Sequence, residues 1–323
     1  MQDQYQRKIE YLRISVTDRC NLRCQYCMPA EGIPWIPHER ILSFEEILRL
    51  MAVSTHLGFR RFRVTGGEPL VRKGIVEFLE QASHLPGVED LMLTTNGIFL
   101  PETAFALKAA GVNRVNISLD TLDPLRYKEI TRGGDVRQAL QGVFRSLEAG
   151  LEPVKLNVVV VRSLNLDELP RFLDLAENYP LNVRFIELMP IGTGSERRND
   201  FVPIDEMIQL LGLAKAPQAQ DVAGGGPAEY LRPAGFQGSI GFISALSRHF
   251  CHTCNRVRLT ADGKLRPCLH SSYEVDLLSA LRSGKSDAEL LDIFARAVWS
   301  KPAEHHMNEQ AWQDKRYMSQ IGG

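Results

Sequence analysis

Six cysteines in a chain of 323 residues fall into two triplets, and each triplet has a spacing that can hold a metal cluster. The first is Cys20-Asn-Leu-Arg-Cys24-Gln-Tyr-Cys27, a C-x3-C-x2-C run. A 4Fe–4S cube has four corners and takes Cys thiolate as its usual ligand, so three cysteines leave one iron open. Structural zinc prefers C-x2-C pairs within a closed set of four ligands, and no histidine lies in this loop to complete one. The second triplet is Cys251-His-Thr-Cys254, with Cys268 brought back beside it by a hairpin that Asp262-Gly263 signals. In isolation zinc is at least as good a reading here, with His252 or His270 as fourth ligand. A three-cysteine cluster loop elsewhere in the same chain gives weight to a second 4Fe–4S cluster. Its open iron would be a place to anchor a substrate nitrogen or oxygen.

These ligands need a frame, and the rest of the chain supplies a periodic one. Strand-like runs at Tyr11–Val16, Arg61–Val64, Asp90–Thr94, Arg114–Ser118, Val154–Val161 and Val183–Leu188 alternate with helical stretches. The clearest helix start is Ser43-Phe-Glu-Glu46, a capping box opening a helix that runs to about Leu57. Six strand–helix units predict an α/β fold, an incomplete (β/α)6 TIM-like barrel open on one side. The cysteine loop, Gly66-Gly67, Thr94, Ser118 and Met189 all fall at carboxyl ends of strands, where such folds place their chemistry. Beyond Met189-Pro190 the pattern gives way to loops, short strands and the cysteine hairpin. The expected division is a barrel core over residues 1–190 and a small C-terminal domain with the second cluster over 191–323. Residues 215–226 carry no usable motif. Arg13 and Arg63 lie in strands that should be buried, and unpaired buried charge is costly, so an anionic ligand is expected between them.

Bulk properties narrow the class. Net charge is −1, which implies no nucleic-acid or membrane partner. Residues 1–10 are polar and charged, unlike a secretory signal, and no apolar run approaches a membrane span. The chain reads as cytoplasmic, where thiols stay reduced and three disulfides are not expected.

The run Thr17-Asp-Arg-Cys20 through Cys27 resembles the radical S-adenosylmethionine superfamily. More specifically, the chain resembles the GTP 3′,8-cyclase family of molybdenum cofactor biosynthesis nearly from end to end. The motifs are Thr65-Gly-Gly-Glu-Pro-Leu70, Arg184-Phe-Ile-Glu-Leu-Met-Pro190, Gly238-Ser-Ile-Gly-Phe-Ile243, Cys251 to Cys268 with Asn-Arg-x-Arg-Leu-Thr after Cys254, and a terminal Gly322-Gly323. Departures such as Leu22, where the family often has Phe, and His270 do not touch ligand positions.

The resemblance implies two 4Fe–4S clusters, on Cys20, Cys24 and Cys27 and on Cys251, Cys254 and Cys268, with S-adenosylmethionine as cosubstrate. It implies that Tyr26, Gly66, Gly67, Ser118 and Met189 contact S-adenosylmethionine. For GTP it implies Arg13, Arg63, Thr94, Lys155, Arg256, Val257 and Arg258, with Arg184, Arg256 and Arg258 nearest the chemistry. The implied reaction removes hydrogen from C3′ of GTP and joins C3′ to C8. The second cluster's open iron holds the guanine, and the Gly-Gly tail reaches into the site. A small flavodoxin- or ferredoxin-like reductant and a downstream cyclic pyranopterin synthase are the implied partners, with a monomer or homodimer as the unit. The rival readings are a peptide-modifying radical enzyme, an iron–sulfur carrier and a zinc-stabilised binding module.

Overall fold

Side-chain parity along the strands sorts this chain into a helix-covered face and a ligand-facing interior. The computed structural model describes residues 1–224, 226–307 and 316–322. Six strands lie side by side in chain order, all parallel: β1 (Tyr11–Ser15), β2 (Arg61–Thr65), β3 (Asp90–Thr95), β4 (Arg114–Ser118), β5 (Lys155–Val160) and β6 (Asn182–Glu187). Between them run α1 (Phe44–His56), α2 (Ile75–Ser83), α3 (Leu100–Ala109), α4 (Pro124–Thr131), α5 (Val136–Glu148), the short α6 (Arg162–Asn165) and α7 (Leu169–Asn178). The expected capping box is present: Glu46 N–H donates to Ser43 Oγ at 3.1 Å, and Ser43 N–H to Glu46 Oε2 at 2.7 Å. α4 is an element the periodicity does not announce. It is short and polar, starts at the Asp123 cap, and buries only Tyr127, Ile130 and Thr131.

On the outer face Leu12, Ile14, Phe62, Val64, Leu91, Leu93, Val115, Ile117, Leu156, Val158, Val183 and Phe185 form one continuous core with the helices. Each such side chain contributes about 1.5–3 kcal/mol by leaving water. The alternate positions face inward and are largely polar, which an ordinary packed barrel interior would not tolerate.

The residues after 190 do not gather on one side. β7 (Glu229–Leu231), β8 (Ser239–Ile243), β9 (Arg256–Leu259), β10 (Lys264–Arg266) and β11 (Val275–Asp276) all enter the same sheet, in the order β11-β10-β9-β1-β2-β3-β4-β5-β6-β8-β7. β8 lies parallel to β6, and β9 lies parallel to β1, so the parallel run grows to eight strands from both edges. The hairpin signalled by Asp262-Gly263 is β9–β10. Local pattern indicates the hairpin, but only tertiary folding sets its first arm against the chain's first strand. Four more helices, α8 (Ile204–Leu210), α9 (Leu277–Arg282), α10 (Asp287–Trp299) and α11 (Met318–Ile321), complete the described elements. α10 packs beside α1, and its Phe294 meets Phe59 edge-on at 5.9 Å between ring centroids. No helix among the described residues is long and apolar enough to cross a membrane.

Candidate active site

One cavity runs through the barrel interior, and both cysteine triplets open onto it. Its wall also holds Arg13, Arg63, Thr94, Ser118, Lys155 and Arg184 from the strands, Tyr26, Gly66, Gly67 and Met189 from their carboxyl ends, and Arg256 and Arg258 from β9. Val257 differs from its neighbours. It takes the opposite parity in β9, and its side chain lies 1% exposed in the apolar core.

The cysteine loop is fastened by its surroundings. Gln25 and Arg23 N–H groups donate to the carbonyls of Ile130 and Thr131 at the end of α4. Tyr26 Oη donates to Asp120, just beyond β4, and Asp120 accepts from Val159 N–H at 2.9 Å. The Gly-Gly-Glu-Pro turn packs against the approach to this loop. A Cβ on Gly66 would stand 2.6 Å from the Thr17 carbonyl oxygen, and one on Gly67 would stand 2.3 Å from that of Arg19. Both glycines are thus required by backbone against backbone. Glu68, fully buried, ties the turn to β3 by accepting from Leu70 N–H, Thr95 Oγ1 and Asn96 N–H at 3.1, 2.8 and 2.7 Å. Burial lifts its carboxyl to about 7, against those three hydrogen bonds.

Burial raises Cys251 of the second triplet as it does Cys20 of the first, whereas Cys254 moves the other way. Burial pushes Cys20 up to about 12, and Cys24 is raised by its hydrogen bond with Cys27 and then by burial. Cys20 and Cys24 are therefore neutral when free, and loading metal on them must release protons. At the second triplet burial also acts to raise Cys254, but Arg256 and Lys301 outweigh it and draw the thiol down to about 6. Among the described residues no three His, Cys, Asp or Glu side chains converge as they would around a single ion. Two sets of three thiols on one cavity wall fit iron–sulfur clusters, in which each thiolate takes its own iron.

The cations are the other half of the site. Among the described residues Arg63, Lys155, Arg184, Arg256 and Arg258 have no carboxylate within ion-pair reach. Arg63 donates instead to Tyr11 Oη, to the Leu93 carbonyl at 3.2 Å and to Thr94 Oγ1 at 3.4 Å. Lys155 Nζ donates to the Ala223 carbonyl, and Arg184 to Asn157 Oδ1. Burial and then neighbouring cations lower Arg258 to about 9 and Lys155 to about 6. Such an array is built to receive a polyanion, because forked guanidinium groups pair directly with phosphate oxygens.

Reasoning from the sequence passed over several wall residues. Arg61, Arg114, Asn116 and Asn157 also line the cavity, each two or four positions from a residue already singled out in the same strand, so strand parity alone identifies them. Lys301, donating to the Arg256 and Pro267 carbonyls at 2.8 and 2.7 Å, has no such signal. The motif-free stretch reaches the cavity as well, through Gly224 and Gly226, with Pro227 just beyond it. Gly322 lies inside the mouth, where Arg258 donates to its carbonyl; Gly323 lies outside the described residues.

Comparison with known proteins agrees with this geometry. The radical SAM superfamily model matches residues 14–176, and the Molybdenum Cofactor Synthesis C model matches residues 181–307. Curated relatives named GTP 3′,8-cyclase from Heliobacterium modesticaldum and Moorella thermoacetica are each 54% identical, over the full length of both chains. The chain belongs to the GTP 3′,8-cyclase family. A third family member, from Pelotomaculum thermopropionicum, is 52% identical, again over full length. Beyond the family, the fold is shared with Streptococcus suis SuiB. Its structure bound to S-adenosylmethionine gives a TM-score of 0.59 at 15% identity, covering 85% of this chain and 65% of that one. Its structure bound to precursor peptide SuiA gives 0.58 at 13%, covering 94% and 76%.

Proposed function

We propose that this chain converts GTP to 3′,8-cyclo-7,8-dihydroguanosine 5′-triphosphate, the first step of molybdenum cofactor biosynthesis, using S-adenosylmethionine and two 4Fe–4S clusters. The observation that carries this reading is one cavity lined by both cysteine triplets and by Arg63, Lys155, Arg184, Arg256 and Arg258, which have no carboxylate partner among the described residues. Cys20, Cys24 and Cys27 would hold one cluster, and Cys251, Cys254 and Cys268 the other. The cluster held by Cys20, Cys24 and Cys27 would supply one-electron reductive cleavage of S-adenosylmethionine, and the cosubstrate would then serve to take hydrogen from ribose C3′.

The chain's own residues do the rest. Tyr26, Gly66, Gly67, Ser118 and Met189 form the S-adenosylmethionine side, at the carboxyl ends of the strands. Arg13, Arg63, Thr94, Lys155 and Arg184 receive the triphosphate and ribose, while Arg256 and Arg258 place the base beside the second cluster. Orientation of C3′ against C8 supplies much of the barrier reduction, because the bond forms within one bound molecule. Residues 1–190 carry the radical chemistry and 191–323 the second cluster and the tail. The electron comes from a small reductant protein, the product passes to a cyclic pyranopterin synthase, and the reaction belongs in the cytoplasm.

The test is anaerobically reconstituted protein given S-adenosylmethionine, a strong reductant and GTP, with 5′-deoxyadenosine and cyclised nucleotide followed together by mass spectrometry. Both rising in step is the expected result. 5′-Deoxyadenosine without cyclised GTP would reject the substrate, and neither product from protein holding both clusters would reject the radical chemistry.

A further inference from the structure

We infer that the exposed basic face around the N-terminal cysteine loop, formed by Arg19, Trp35, Arg23 and Arg132, is the docking surface for an acidic one-electron carrier protein. This rests on the proposed radical chemistry, which needs one electron delivered to the N-terminal cluster for each cleavage event.

Arg19, Arg23 and Arg132 are exposed, and among the described residues none has a carboxylate partner. Elsewhere on the surface Arg126, Arg137, Arg162, Arg248 and Arg282 are all ion-paired. Arg19 adjoins Cys20 in the chain, and its guanidinium lies over the Trp35 ring, 4.8 Å from the centroid. Trp35 is 62% exposed, yet its segment is pinned, because Ile36 N–H donates to the buried Asp18 carboxylate at 2.7 Å. Arg23 donates to the Ala30 carbonyl at 3.3 Å, and Arg132 to the Arg23 and Met28 carbonyls at 2.9 and 2.8 Å. Arg23 and Arg132 are thus fixed to the loop that carries the cysteines, and Arg19 is held against Trp35 beside it. Between Arg19 and Trp35 the sole acid is Glu31.

Arginine and tryptophan are the residue types that dominate interface energetics. Three arginines outweigh Glu31 and Glu196, which share a surface pocket with Arg132, and an excess of one charge steers an oppositely charged partner and raises its association rate by about 10- to 1000-fold. A fixed aromatic among unpaired arginines, beside the half-exposed Cys20, suits a weak and transient partner bringing its redox centre to the cluster. In the transfer the carrier is oxidised by one electron and the cluster reduced by one. No bond or proton moves on this chain.

The experiment compares two donors on the reconstituted holoenzyme: a low-potential acidic flavodoxin, and dithionite, which needs no docking. With the double variant Arg19→Glu, Arg23→Glu, and separately with Trp35→Ser, 5′-deoxyadenosine formation with dithionite should match the unsubstituted protein. With flavodoxin it should fall about tenfold or more in the double variant. Calorimetric affinity of oxidised flavodoxin for the holoenzyme should weaken in parallel. In the unsubstituted protein the flavodoxin-driven rate should drop as salt rises from about 0.01 M to about 1 M, which shortens the screening length from about 30 Å to about 3 Å. Undiminished flavodoxin rates in both variants, equal losses with both donors, or a salt-independent rate would each overturn the surface. Failure of dithionite itself to yield 5′-deoxyadenosine from the unsubstituted protein is a separate result: it removes the radical chemistry, and the docking surface with it.

Discussion

Arg258, in β9, donates a hydrogen bond to the main-chain carbonyl of Gly322, so Gly322 sits inside the barrel mouth. Gly322 adopts φ +73°, and a Cβ there would stand 2.9 Å from Thr65 Cγ2. Gly322→Val should therefore expel the tail, because a β-branched residue resists this backbone and has no room. The expected outcome is loss of cyclised nucleotide by about tenfold or more with little change in melting temperature, since a terminus contributes little to global stability. Mass spectrometry and a thermal melt check the two halves.

Arg256→Ala should weaken GTP while sparing S-adenosylmethionine. A hydrogen bond to a charged group is worth about 1.5–3 kcal/mol, or about 10- to 150-fold in Kd. Equilibrium binding of both ligands to reconstituted protein decides it, and unchanged GTP affinity would remove Arg256 from the substrate contacts.

Cys268→Ser should lose one cluster's share of iron and still cleave S-adenosylmethionine slowly, yet make no cyclised nucleotide. Iron analysis with product assay tests this, and normal cyclisation would refute a substrate-anchoring second cluster.

Lys155 predicts a pH dependence of binding. Burial, then Arg184, Arg114 and Arg63, pull its ammonium from 10.5 to about 6, so at neutral pH the free protein holds it largely uncharged. A triphosphate alongside restores the charge, so binding takes up a proton, and GTP affinity should fall as pH rises above about 6. For folding, the unfolded chain carries a proton that the folded one lacks between about 6 and 10.5. Ligand-free stability from this group therefore rises with pH across that window and is lost toward its lower end. Calorimetry in buffers of different ionisation enthalpy should show the proton uptake, and Lys155→Met should abolish it.

Gly67→Ala should disturb the first cluster specifically. Its new Cβ would lie 2.3 Å from the Arg19 carbonyl oxygen, a backbone atom that can yield only by moving the cysteine loop. Overpacking of this kind costs about 1–3 kcal/mol. The expected signs are a lowered melting temperature and loss of iron at the N-terminal site, with the second cluster retained.

The sequence by itself determined the two cysteine triplets, the six strand–helix units and the gathering of Gly66, Gly67, Thr94, Ser118 and Met189 at strand ends. Cysteine spacing, capping boxes and hydrophobic periodicity are local properties, written within a few residues. It also placed Arg13 and Arg63 in buried strands, where parity aims them inward. Only the tertiary structure decided what completes the site. β9 enters beside β1 although some 245 residues separate them, in a register that sets Arg258 opposite Arg13. The same folding brings Lys301, the Ala223 carbonyl and Gly322 to the cavity. No local pattern encodes such meetings, because strand pairing and buried-charge partners are chosen by the free energy of the whole packed sheet.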